Sequence, residues 1–276
     1  MTAVAPPIPE LETVARTLRR HSIQMIAAAN SGHPGGSLSA AEIVTALYFG
    51  GVLRHDPKRP DWPDRDRFIL SKGHGVPVLY AALAERGYFP VNELKTLRQV
   101  DSRLQGHPVQ GLTPGIEAST GSLGQGLSIG IGHALAARLD GKPFHTYVLM
   151  GDGECQEGQV WEAAMTAGNY ELANLTAIVD FNRFQLDGAV EDINSLEPIG
   201  GKFASFKWHV LEVNGHDVGM VLDALHKARA HKGEPTCIIA HTVKGKGVTF
   251  MENNNEFHGK APNAEQLKVA LSQLDA

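Results

Sequence analysis

Residues Leu11, Val14, Ala15, Leu18, Ser22, Met25 and Ala29 follow helical spacing, which predicts a first helix from about Glu10 to about Ala29. The pattern stops at SGHPGG. Beyond it, Ser39 and Glu42 stand at capping-box spacing ahead of IVTALYF, where a second helix is expected to begin. RFIL, at 67–70, reads as a strand and VPVLYAALAER as the helix after it. GQGLSIGIGHALAARL reads as another helix, in which Gly126, Gly130 and Gly132 each cost about 1 kcal/mol relative to alanine. A helix that keeps three such residues implies another backbone or a ligand packed close.

From residue 145 onward, four short runs rich in β-branched residues, HTYVLM, NLTAIVDF, WHVLEV and PTCIIAHTV, are separated by helical stretches such as QVWEAAMTAGNYELA and MVLDALHKARAHK. Near-continuous apolar strands alternating with helices predict an α/β fold, a parallel β-sheet with helices on both faces. No repeat, low-complexity tract or linker interrupts the pattern. The expected organisation is a flexible lead-in over residues 1–9 and one domain over 10–276.

Composition narrows the function classes. At 276 residues the chain can bury a sizeable core as one large domain. A formal net charge of -5 argues against a nucleic-acid or anionic-membrane surface, which needs a surplus of lysine and arginine. The start, MTAVAPPIPE, has neither the basic residues nor the apolar core of a signal peptide, and no run of about 18 apolar residues exists to span a bilayer. Two cysteines far apart, Cys155 and Cys237, suit a reducing cytoplasm better than a disulfide framework.

Ligands of parallel sheets gather beyond the carboxyl ends of strands. One predicted strand ends in Gly151-Asp152-Gly153 and the next in Asp180-Phe181-Asn182-Arg183-Phe184. Asp152 and Asn182 are 30 residues apart, about one strand-helix-strand crossover, so adjacent strands would bring them together. A carboxylate and an amide oxygen are hard ligands suited to Mg²⁺, which keeps open positions for phosphate oxygens and water. The glycines let backbone approach a phosphate closely and leave N–H groups free at the start of the next helix. A lone GDG is also an ordinary strand-to-helix turn; Asn182 and the strand context carry it further. Neither a G-x-G-x-x-G fingerprint nor a Walker A loop occurs. KGKG, at 244–247, reads as a solvated turn rather than a phosphate loop.

GDG followed about thirty residues later by Asn resembles the thiamine diphosphate motif, and the whole chain resembles the N-terminal, diphosphate-binding domain of transketolase. SGHPGGSLSAAEI, LSKGHGVPVLYAAL, LQGHP, STGSLGQGLSIGIG, GDGECQEGQVWEA, DFNRFQLDG and FHGKAP come in family order over roughly residues 10–265. The resemblance implies that Asp152 and Asn182 are side-chain ligands of Mg²⁺ and that Phe184 adds its backbone oxygen. It implies that Gly153 binds diphosphate through its backbone, that Asn182 also contacts the cofactor, that Gly121 and Leu123 lie against the cofactor rings and that His74 touches the cofactor. His33, His107 and His258 match histidines around the reacting carbon, and Glu157 matches an acid in the network between paired chains. His55, His133, His145, His209, His216, His226, His231 and His241 match nothing catalytic and read as structural.

The implied activity is transfer of a two-carbon ketol unit from a ketose phosphate to an aldose phosphate, with thiamine diphosphate and Mg²⁺ as cofactors. Two departures stand out. GGSL follows the first histidine where GAPL is common, and the chain ends at LKVALSQLDA where transketolases usually continue into a pyrimidine-binding and a C-terminal domain. The resemblance is therefore to the first half of a split transketolase. It implies a partner subunit carrying those two domains, an α2β2 assembly and no contact with nucleic acid or membrane. Half of a sister enzyme, such as deoxyxylulose-phosphate synthase or the α chain of a 2-oxo-acid dehydrogenase, would share the GDG-Asn core. A non-catalytic cofactor-binding regulatory subunit is a further alternative, against which the presence of His33, His107 and His258 counts.

Overall fold

The computed structural model describes residues 6–275, so the first five residues of the expected lead-in lie outside the described residues. Five strands, β1 (Arg67–Leu70), β2 (Thr146–Gly151), β3 (Leu175–Phe181), β4 (His209–Asn214) and β5 (Thr236–His241), form one sheet in the order β1-β2-β3-β5-β4. Every neighbouring pair is parallel. All five carboxyl ends therefore lie along one edge of the sheet. Around it stand α1 (Ile8–Ala29), α2 (Pro34–Ser39), α3 (Ala41–Phe49), α4 (Val76–Glu85), α5 (Gln125–Leu139), α6 (Gly158–Asn169), α7 (Val190–Asn194), α8 (Ile199–Ser205), α9 (Val218–Ala230) and α10 (Ala264–Leu274).

Alternate strand residues serve opposite faces, as the period of two demands. Phe68, Leu70, Tyr147, Leu149 and Ile178 pack with α1, α3, α4 and α9, while Ile69, Val148, Met150, Ala177 and Val179 pack with α5, α6 and α8. Both faces are covered, which is why the strands read as continuous apolar runs rather than alternating ones. Among the described residues no helix is long and apolar enough to cross a membrane.

Two local expectations are corrected. The first helix begins at Ile8, with Pro9 in its first turn, where a missing N–H costs nothing. It stops ahead of SGHPGG as expected, and Pro34 there opens the short helix α2. The Ser39–Glu42 capping box does not form. Glu42 instead takes a bidentate ion pair from Arg19, at 2.6 and 2.5 Å, and Ser39 Oγ donates to Asp180 Oδ2 at 2.6 Å. Both side chains are drawn inward by buried partners stronger than a helix N-terminus.

Two of the three α5 glycines fit the close-packing expectation. A Cβ on Gly126 would sit 2.3 Å from Ser71 Oγ, and one on Gly130 would sit 2.5 Å from Val148 Cγ2. Gly132 meets nothing within 4 Å, so its cost has no packing reason here.

Candidate active site

The loops that leave β1, β2, β3 and β5 enclose a cleft of about 230 Å³. Of the residues singled out from sequence, His33, His74, Gly121, Leu123, Asp152, Gly153, Asn182, Phe184 and His258 all line it. Strand register explains the meeting of Asp152 and Asn182: Gly151 pairs with Asp180, so the residues just beyond each end share one edge. His107 stands at the margin, its ring 6.5 Å from that of His33 and packed against Gly121, whose φ of 152° is one that side chains rarely adopt. Glu157 is outside the cleft. It is exposed at the N-cap of α6, its Cβ against Gly124, so it faces a surface rather than the cleft.

Asp152 is 1% exposed, and its carboxylate accepts from Gly153 N at 2.8 Å and Arg183 N at 2.5 Å. Among the described residues no cationic side chain lies within 4.0 Å of it. Burial, and then the Asp180 carboxylate behind it, push its pKa up to about 7. The Gly153 N–H is therefore turned onto Asp152 and is not free, contrary to the expectation of open donors there. Asn182 is equally constrained: its Oδ1 accepts from Phe184 N at 3.1 Å and its Nδ2 donates to Asp180 Oδ2 at 3.2 Å. A buried carboxylate short of positive charge, beside an amide oxygen, is a donor set that fits Mg²⁺.

Four histidines cluster above this floor. His33 lies 5.2 Å from His74 and 5.6 Å from His258, and His74 stacks on His258 at 5.4 Å, centroid to centroid. Burial followed by neighbouring cations pushes His33 down to about 4 and His258 down to about 3, and lowers His74 and His107 as well. All four are neutral near pH 7. His33 Nδ1 is buried without any hydrogen-bond partner, a free-energy cost the site carries.

The structure adds residues that sequence reasoning missed. Lys72, 1% exposed, donates to Gly36 O at 2.8 Å and forms an ion pair with Asp180 under the cleft. Burial alone would raise the Asp180 carboxyl, but Lys72 overrides it and holds it below the ordinary range. Glu154 is also buried, accepting from Ser71 Oγ, Gly124 N and Gly151 N, and so ties the GDG turn to the start of α5. KGKG is not a solvated turn at its first residue. Lys244 is 2% exposed and lines the cleft, with Nζ 2.8 Å from His258 Nδ1 and 2.8 Å from Asn255 Oδ1. Its neighbour Gly245, at φ 80°, holds the bend that turns the lysine inward. None of the eight histidines read as structural lines the cleft. His145 bonds Thr176 Oγ1, and His216 bridges Glu42 and Val243 N.

Comparison with known proteins agrees with this geometry. Residues 11–275 match the family model described as "Transketolase, thiamine diphosphate binding domain". The chain is 43% identical over 266 residues to the 6-deoxy-6-sulfo-D-fructose transketolase subunit SqwG of Clostridium sp. (strain MSTE9), covering 96% of each chain. It is 44% identical to one of the apulose-4-phosphate transketolase subunits of Actinobacillus succinogenes, again with 96% of each chain covered. Among solved structures, the transketolase of Campylobacter jejuni superposes with a TM-score of 0.92 at 35% identity, over 98% of this chain but only 43% of that one. A Pichia stipitis transketolase superposes at 0.91 with 34% identity, over 96% of this chain and 40% of that one. With the family model matched from Leu11 almost to the end and the parallel sheet shared, the chain belongs to the transketolase family and forms its thiamine diphosphate-binding domain.

Proposed function

We propose that this chain is the thiamine diphosphate-holding subunit of a two-chain transketolase, moving a two-carbon ketol unit from a ketose phosphate to an aldose phosphate. The observation that carries the reading is the convergence of His33, His74 and His258 with Asp152 and Asn182 on one cleft. Relatives matched over 96% of their length are named as subunits, while the solved single-chain transketolases are covered to only 40–43%. That contrast supports a partner chain with the remaining domains, and an α2β2 assembly in which Glu157 faces a second copy. The same subunit relatives favour transketolase over a sister thiamine enzyme or a regulatory chain.

Bound thiamine diphosphate would supply the electron sink that lets a carbon–carbon bond beside a carbonyl break and re-form. Asp152, Asn182 and the Phe184 carbonyl would hold Mg²⁺ against the diphosphate, and Lys244, its Nζ 5.6 Å from the Phe184 ring centroid, adds positive charge beside them. Gly121, Leu123 and His74 form the surface on which the rings would rest. Lys244 donates to Nδ1 of His258, so the proton of this neutral imidazole sits on Nε2, which is left to donate to a sugar oxygen. His33, neutral and lining the cleft, is placed to exchange a proton with a sugar hydroxyl. The two buried free cysteines support a cytoplasmic setting.

The test is alanine at His33, His107 and His258 in the assembled enzyme. Each is expected to lower turnover by about 10²–10⁴-fold while leaving thiamine diphosphate affinity nearly unchanged. Wild-type turnover in all three would return these residues to a structural role.

A further inference from the structure

His216 lines no part of the cleft, yet it ends a chain of buried polar groups that reaches a cleft residue through one backbone bond. Asn214 of β4 pairs with His241 of β5, so His216 and Val243, each two residues beyond that pair, stand side by side where the two strands end. The Val243 N–H donates to His216 Nε2 at 2.7 Å. An accepting Nε2 leaves the ring proton on Nδ1, which donates to Glu42 Oε2 at 3.0 Å. Burial alone would raise the Glu42 carboxyl, but the Arg19 charge and the bond from His216 hold it below the ordinary range. Buried Arg19 grips both oxygens of Glu42, and its Nε donates to Leu38 O in α2. His216 is thus held in one tautomer by a carboxylate that is itself held.

Val243 is where the chain leaves the sheet for the cleft. The residue before it is still tied to β3, with Thr242 N donating to Phe181 O at 3.1 Å and Thr242 Oγ1 donating to Asp180. From Val243 the backbone turns, Lys246 N donating back to Val243 O at 3.2 Å, and sends the next side chain, Lys244, into the cleft. That side chain has no slack. A Cβ on Gly35 would lie 3.0 Å from Lys244 Cγ, and Lys244 Nζ meets His258 Nδ1 and Asn255 Oδ1 at 2.8 Å each. A shift of the Val243 amide is therefore carried along the lysine stem to His258, whose tautomer that lysine fixes.

We infer that His216 is a positioning residue for ketol transfer: by accepting from the Val243 N–H it aims Lys244 at His258, and so keeps the His258 Nε2 proton directed at the sugar. The inference rests on the ketol-transfer reading and deepens it. Arg19 and Glu42 serve the same end by keeping the proton of His216 on Nδ1, away from the nitrogen that must accept.

Two substitutions separate the two bonds of the ring, because a glutamine amide reaches the place of Nε2 and an asparagine amide the place of Nδ1. His216→Gln keeps an acceptor for Val243, whereas His216→Asn keeps only a donor for Glu42. Both are compared with wild type in the two-chain holoenzyme, with a ketose phosphate and an aldose phosphate as substrates and circular dichroism as the check on folding. His216→Asn is expected to lower kcat roughly 10- to 100-fold with KM and thiamine diphosphate affinity near wild type, and His216→Gln to stay near the wild-type kcat. In a Lys244→Met background the asparagine substitution is expected to add no further loss, since the lysine through which it acts is gone. Equal kcat values for the two variants, a folded His216→Gln enzyme that has lost its turnover, or an asparagine loss that persists in full without Lys244 would overturn the inference while leaving the ketol-transfer reading intact. A wild-type pair of chains that transfers no ketol unit would instead overturn that reading, and this inference with it.

Discussion

Lys244 Nζ lies 2.8 Å from His258 Nδ1, a contact between a bend after β5 and a short 3₁₀ turn near the C-terminus. It fixes the tautomer of a site histidine and, after burial, is the largest cause of that ring's low basicity. Removing the positive charge makes protonation easier, so Lys244→Met is expected to raise the pKa of His258 from about 3. The rise is partial, because burial remains the larger cause. An NMR titration of the ring carbons checks this; an unmoved His258 would show that the lysine does not set its state.

Asp152 is the clearest place to test the metal. Its buried carboxylate has backbone donors but no cation. Asp152→Ala is expected to abolish Mg²⁺-dependent binding of thiamine diphosphate without loss of the sheet, since the replaced group is shelved at the end of β2 rather than packed in a core cluster. Calorimetry reads the binding and circular dichroism the fold. Unchanged affinity with Mg²⁺ present would remove Asp152 from the ligand set.

The fold is largely legible in the sequence, and the reasons are physical. Strands buried on both faces carry a continuous apolar signal, so RFIL matches β1 residue for residue and the four later strands are found to within two residues. The GDG end and Asn182 are legible because parallel register turns a spacing of one crossover into proximity. What stays hidden depends on long-range partners. Lys72 and Asp180 are 108 residues apart and look like ordinary surface charges until the sheet sets them side by side. Lys244 sits in a glycine-rich stretch whose local chemistry says only that the chain turns. Glu42 reads as a helix cap because Arg19 and His216, its actual partners, are 23 and 174 residues away. One missed element does carry a local signal: Asn263 and Gln266 form a reciprocal capping box that opens α10.

His145 makes acid stability predictable. It is buried beneath the sheet, its pKa lowered from 6.5 to about 3 by burial and then by the Arg229 charge. Below pH 6.5 the unfolded chain takes up a proton that the folded chain refuses, so stability falls as pH drops from about 6.5 towards 3 and is untouched above about 7.5. By about pH 4 this group alone accounts for up to about 3 kcal/mol. His145→Gln cannot titrate, so between about pH 7.5 and about pH 4 its stability relative to wild type should improve by that order. Urea unfolding at the two pH values measures the difference, and parallel losses in both proteins would contradict the assignment.

The central claim is that this chain holds the cofactor for a reaction completed only with a partner chain. The most direct measurement is ketol transfer from a ketose phosphate to an aldose phosphate by the purified chain, by the partner, and by the two mixed, each with and without thiamine diphosphate and Mg²⁺. Turnover is predicted in the mixture alone, and only when thiamine diphosphate and Mg²⁺ are both present. Robust turnover by this chain without a second polypeptide, or turnover in the mixture that is indifferent to thiamine diphosphate, would contradict the account.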